Sequence, residues 1–244
     1  MKKILIFIAA LSLSVPGFAQ SDDGEDELIS MGKEKSNAFF LGPKVGGTMT
    51  SMTQPNEGKL YDGSGFGFSG GLAFQARFGK ASENSVGGTG YFGAGLELKY
   101  KLNSVKTLGT DESGKENVKM SIGYFEVPVF AHIYPLAKSP SLNSFYVELG
   151  AAFAGTLSRS PKSLTLINPS ADYSLVTYNL DANGSTLKGM DVRPFAGLGY
   201  TIPNTGLDIN ARYYIGTSEL AGNFPCKMNT LEVSLAWLFN IGKF

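Results

Sequence analysis

Eight stretches of this chain repeat with a period of two, and in each of them one of the two alternating rows is free of charge. They span about 38–50, 65–79, 90–102, 120–134, 144–157, 189–202, 206–217 and 229–241, and none shows a convincing period of 3.6. Successive side chains of a strand point to opposite faces, so such a pattern predicts strands with two unlike faces. The uncharged row includes Leu41 and Val45, Phe66, Phe68 and Leu72, Leu96 and Leu98, Phe125 and Val129, Leu149, Leu198, Ile209, Val233 and Leu235. The opposite row carries Lys44, Arg77, Glu97, Lys99, Glu126, Glu148, Arg193, Asp208, Arg212 and Glu232. Phe40, Phe130, Tyr146, Phe195 and Tyr214 share it, interleaved with glycines such as Gly95, Gly150 and Gly199.

Two closed designs have this alternation, and they are inside-out versions of one another. In one the apolar row meets lipid and the polar row fills the lumen; in the other the apolar row is a core and the polar row meets water. Three features favour lipid outside. The segments are about 12 residues long, enough to cross the apolar band of an outer membrane at a tilt of roughly 40°. With the N-terminus inside, the connections alternate: 51–64, 103–119, 158–188 and 218–228 become long outward loops, and 80–89, 135–143 and 203–205 shorter inner turns. Aromatic residues of the apolar row also gather at two levels, Phe39, Phe78, Phe92, Phe145, Tyr200 and Phe239 at one and Phe66, Tyr100, Phe125, Phe153 and Tyr213 at the other. Such girdles belong at headgroup depth. The expected fold class is all-β, an eight-stranded antiparallel up-and-down transmembrane β-barrel over 38–244.

The ends agree with export. Met1-Lys2-Lys3, an apolar run from Ile4 to Val15, Pro16-Gly17 and Phe18-Ala19 make a basic head, a short apolar stretch and a small residue, which predicts a signal peptide over 1–19. The run is too short to span a bilayer as a helix, and Gln20 rather than cysteine follows, so no acyl anchor is expected. Residues 20–37, with SDDGEDE near their start, read as a flexible acidic lead-in on the periplasmic side. Without Lys2 and Lys3 the acidic residues exceed the basic by two, a balance that argues against a nucleic-acid partner. One cysteine and one histidine supply no zinc-ligand set, and no cofactor or metal is expected.

Five stretches, FFLGPKVGGTMTS (39–51), YFEVPVFAHIYP (124–135), FYVELGAAFAG (145–155), VRPFAGLGYTI (192–202) and LDINARYYIGTSEL (207–220), resemble the strand motifs of the PorT-like outer-membrane β-barrel proteins. The resemblance implies an eight-stranded barrel integral to the bacterial outer membrane, mostly without an assigned activity. One branch of that family is tied to a secretion and gliding apparatus. Outer-membrane lipid and, during insertion, the barrel-assembly machinery are the partners it implies. The last residues depart from the pattern: Phe239 is in phase with the lipid-facing row and Phe244 is not, so a short tail is expected there.

The motifs that invite chemistry have bland readings. GFGFSG (65–70) fits a dinucleotide fingerprint in letters only, because LAFQARF, which follows, has the period of a strand and not of a helix. Glu126 and His132 share a face but stand six residues apart, roughly 20 Å along a strand, so they cannot touch. A triad would have to use His132, and sequence places no serine or acid beside it. The ten charges above are expected instead to pair as a lumen network, since eight strands enclose a space that side chains just fill. A lipid-modifying or proteolytic enzyme and a small pore remain the alternatives. Specific function is expected in the loops, through an extracellular or secretion-apparatus protein partner. The longest loop holds SLVTYNL, read as part of a hairpin turning at Asn183-Gly184, and Cys226 is expected in the last loop. Pro128 has no N–H to give a closed sheet, which predicts a bulge or a broken ladder bond.

Overall fold

The computed structural model describes residues 37–53, 61–78, 90–107, 119–139, 141–160, 162–168, 174–179, 190–217, 219–221 and 224–243. The expected signal peptide and all but the last residue of the acidic lead-in lie outside them. The strands are β1 (Ala38–Thr53), β2 (Tyr61–Phe78), β3 (Phe92–Thr107), β4 (Lys119–Ile133), β5 (Phe145–Ser160), β6 (Ser163–Asn168), β7 (Ser174–Asn179), β8 (Met190–Thr201), β9 (Leu207–Tyr214), β10 (Glu219–Ala221), β11 (Phe224–Trp237) and β12 (Phe239–Lys243). In the main sheet β11, β9, β8, β5, β4, β3, β2 and β1 follow one another as antiparallel neighbours, and β1 pairs again with β11, which closes the ring at eight staves. β10 extends the sheet beside β11, and β6 and β7 form a separate hairpin between β5 and β8.

The alternation sorts the faces as the period of two requires. Val45, Phe66, Leu72, Leu149, Leu198 and Trp237 are each more than half exposed, on the outside of the ring. The register also brings the aromatic residues to two levels. Phe78 stands opposite Phe92 and Phe145 opposite Tyr200 at the short-turn end, and Tyr100 stands opposite Phe125 towards the long-loop end. A polar inside and an apolar outside are the reverse of a water-soluble barrel, and they suit a lipid surround.

The staves run further than the sequence pattern suggests, chiefly into the long-loop side, where β1 reaches Thr53, β3 reaches Thr107 and β5 reaches Ser160. β2 has 18 residues; at about 3.3 Å each and a tilt of roughly 40° it stands about 45 Å high, against an apolar band of about 25 Å. The excess carries the sheet clear of the membrane. There the β6–β7 hairpin pairs SLTLIN with SLVTYN, Thr165 and Thr177 joining hydroxyls at 2.9 Å. Its two strands are therefore connected between Asn168 and Ser174, not at Asn183-Gly184, which lies outside the described residues. Cys226 lies in β11 and not in a loop.

Irregularities sit where side chains force them. Pro128 pairs with Ala152 of β5, whereas the β3–β4 ladder passes from Leu96↔Val129 to Lys99↔Glu126 with two pairs missing and the register unchanged. The expected break is there, and no bulge accompanies it. The last stave is interrupted at Leu238, whose N–H leaves the ladder to bond the carbonyl of Gly206 at 2.7 Å. The turn that offers this carbonyl has positive φ at Asn204 and Gly206, the conformation those residue types adopt most readily. Beyond the interruption β12 continues to Lys243, paired with Ala38 across a bulge, so this stretch is strand where the sequence suggested a tail.

Candidate functional site

The lumen holds side chains from all eight staves, and it is stratified along the barrel axis. At the short-turn end Arg77 lies 3.7 Å over the ring of Tyr134 and donates to the carbonyls of Gly90 (3.0 Å) and Asn143 (2.8 Å). Close by, Asp208 accepts hydrogen bonds from Tyr146 (2.9 Å) and Thr201 (2.8 Å). His132 comes next, stacked on Tyr146 at 4.0 Å and on Phe130 at 4.9 Å. Its Nε2 meets Glu148 Oε2 at 2.7 Å and its Nδ1 meets the Tyr134 hydroxyl at 3.3 Å.

Arg212 occupies the middle. From β9 it reaches across the ring to Glu97 of β3, giving Nη1 to Oε2 and Nη2 to Oε1, both at 2.7 Å. The other edge of the same guanidinium meets Glu148 of β5 through Nε at 2.5 Å and Nη2 at 2.8 Å. The rings of Phe130 and Phe195 stand 4.7 and 5.1 Å from its central carbon. A planar fork matched to two carboxylates is the geometry in which arginine pairs most strongly. Glu97 also takes Lys44 at 2.8 Å.

One level nearer the loops, Lys99 binds both oxygens of Glu232 at 2.8 Å and the Tyr214 hydroxyl at 2.9 Å. Lys101 lies 3.1 Å from Glu232, 3.5 Å from Glu126 and 3.3 Å from the centre of the Tyr214 ring. Arg193 bridges Glu126 at 3.3 Å and Asp191 at 2.7 Å, over the ring of Tyr124. Above this level buried Thr50, Asn103 and Thr230 form a last polar layer, with Asn103 donating to Thr230 at 3.2 Å. Beyond it the lining turns apolar: Met52, Val105, Met120, Ile122 and Met228 are all buried. The Tyr124 hydroxyl, 3.9 Å from the Met228 sulfur, marks the boundary.

Of the ten lumen charges singled out in the sequence, Lys44, Glu97, Lys99, Glu126, Glu148, Arg193, Arg212 and Glu232 meet in one connected set of ion pairs. Arg77 and Asp208 stand apart, each held by uncharged partners among the described residues. Lys101 and Asp191 join the set, and His132 hydrogen-bonds to it through Glu148; none of the three was among the ten. Lys101 could have been found by parity, being two residues from Lys99, whereas the link from His132 to Glu148 needs the β4–β5 register, which sets them directly opposite.

The lumen glycines make room for rings from neighbouring staves. A Cβ on Gly95 would meet the ring of Phe130 at 2.5 Å, and one on Gly199 the ring of Tyr146 at 2.2 Å, each ring belonging to the residue directly opposite. Glycine facing a large ring is how a narrow barrel interior fills without overpacking. Among the described residues no group of side chains is arranged to hold a metal ion.

The family model described as outer membrane protein beta-barrel domain matches residues 18–221 of the chain. Among solved structures, the chain is similar to the attachment invasion locus protein Ail of Yersinia pestis, determined in complex with the heparin analogue sucrose octasulfate. The identity is 13%, the TM-score 0.41, and the match covers 82% of this chain and 99% of that one. It is also similar to Neisserial surface protein A (NspA), at 11% identity and a TM-score of 0.42, covering 82% of this chain and 97% of that one. No curated protein sequence matches the chain.

Proposed function

The chain belongs to the outer membrane protein beta-barrel domain family, and from that membership we propose that it is a non-enzymatic membrane scaffold whose loop end binds a partner. The observation that carries this reading is the sealed lumen. Arg212, Glu126, His132, Glu148, Tyr146 and Tyr214 are each 0% exposed, inside a ring whose outer surface is apolar. Acid–base chemistry needs a substrate within hydrogen-bond reach. The one histidine has Glu148 and Tyr134 on its two ring nitrogens and aromatic rings over its face, which leaves no approach for one. Ion permeation needs a continuous polar path, and the buried methionines and Ile122 lie across it. Purified protein in a planar bilayer is therefore expected to give no steady single-channel conductance; a steady current would overturn the sealed-lumen reading.

With the N-terminus and the short turns placed on the periplasmic side, the tall staves and the β6–β7 hairpin face outward. The five strand motifs favour a place among the PorT-like members, with a secretion or surface assembly as the setting. A photoreactive residue at Thr177, exposed on β7, tests the binding role in intact cells. The expected result is a discrete protein adduct that is absent when the same group stands at Val45 on the lipid face. Identical adducts from both positions would count against a loop-borne partner.

A further inference from the structure

Arg77 differs from every other described lumen cation in having no carboxylate partner among the described residues. It is 2% exposed, and three contacts fix its guanidinium: the Gly90 carbonyl on Nε, the Asn143 carbonyl on Nη2 and the Tyr134 ring beneath. Its remaining nitrogen, Nη1, is buried with no hydrogen-bond partner among the described residues. Two residues earlier on the same face of β2, Gln75 is 5% exposed, and its Nε2 is likewise buried and unpartnered. Both side chains line one recess, together with Phe40, Ala76, Tyr134, Thr201 and Leu238. It lies at the short-turn end, where Ala38 of β1 pairs with Arg77.

A buried, unsatisfied donor is costly, and a buried cation without a counter-charge more so. Two such donors lining one small recess, one of them charged, describe the complement of an anionic oxygen. We propose that this recess is a carboxylate-binding site at the short-turn mouth of the barrel. Arg77 Nη1 supplies the charged hydrogen bond and Gln75 Nε2 the neutral one. The apolar side is given by Phe40 and Leu238. The recess has room for little more than one oxygen, so one carboxylate oxygen enters it while the other oxygen and the body of the ligand stay at the mouth. Arg77 is not free to move towards another anion, because the inner turns hold two of its three nitrogens.

The test uses full-length protein in detergent micelles at constant ionic strength, titrated with formate, whose single proton is followed by transverse relaxation. The proposal expects saturable broadening for the natural chain, about tenfold weaker binding for Gln75→Leu and none for Arg77→Gln. Gln75→Leu leaves the contacts of Arg77 to the inner turns intact, so it stays informative if Arg77→Gln does not fold. Chloride at equal ionic strength should displace formate poorly. Equal binding by the natural chain and Gln75→Leu would overturn the assignment, as would displacement by chloride at equal concentration. Absence of saturable binding to the natural chain would show a recess filled by water alone, and it too would overturn the proposal.

Discussion

An Arg212→Leu barrel unfolds more easily than the natural one by about 3–5 kcal/mol, the usual cost of removing one partner from a buried ion pair. The loss is large because one guanidinium serves two carboxylates from two other staves, Glu97 and Glu148, and both are fully or almost fully buried. Without it Glu97 keeps Lys44 and a more distant Lys99, and Glu148 keeps His132. Urea unfolding from lipid vesicles, followed by the gel mobility of the folded form, measures the difference. Neutralising Glu148 in the same chain, with Glu148→Gln, should recover more than half of it, because Glu148 is the carboxylate left without a lysine or arginine while Glu97 keeps Lys44, and an uncompensated charge costs more than a missing pair. A single variant within about 1 kcal/mol of the natural protein would mean that the pairing contributes little beyond what the backbone ladder already supplies.

Gly42→Val is expected to abolish the compact, heat-modifiable form on gel electrophoresis. Gly42 lies where β1 passes the interruption between β11 and β12, and a Cβ there would stand 1.7 Å from the carbonyl oxygen of Trp237 and 2.6 Å from its carbonyl carbon. Both are backbone atoms, so no rotamer change can relieve the clash. The ring has to open at its closing pair or shift register, and a one-residue slip would turn every side chain of a stave to the wrong face. Gly47 is the control on the same strand: a Cβ there meets nothing within 4 Å, and Gly47→Ala should fold as the natural chain does. Comparable folding of both variants would show that the approach of β1 to Trp237 is not needed for closure.

Much of this was readable in one dimension. Parity alone places Lys44, Glu97, Glu126, Arg212 and Glu232 on one face and Val45, Leu98, Leu149 and Leu235 on the other, because strand side chains alternate whatever the neighbours are. The missing N–H of Pro128 is likewise a property of the residue itself, and the β3–β4 ladder breaks beside it. Less was readable at the stave ends and in the loops. The apolar-and-polar contrast inverts above the membrane, where Met52 and Val105 turn inward while Thr53 and Lys106 on the outer face meet water. The segment boundaries for β1, β3 and β5 therefore stop short of the real strands.

What sequence by itself determined is thus the number of staves, the lipid-facing row and most of the charges available to the interior, Lys101 and Asp191 excepted. Which charges meet was decided only by closure. Arg212 and Glu97 are 115 residues apart and come from staves on opposite sides of the ring, so neither parity nor neighbouring register relates them. Their heights coincide because tilt and stagger, fixed when β1 joins β11, bring residues from distant staves to one level. The same closure leaves Arg77 below the network with inner-turn carbonyls in place of a carboxylate.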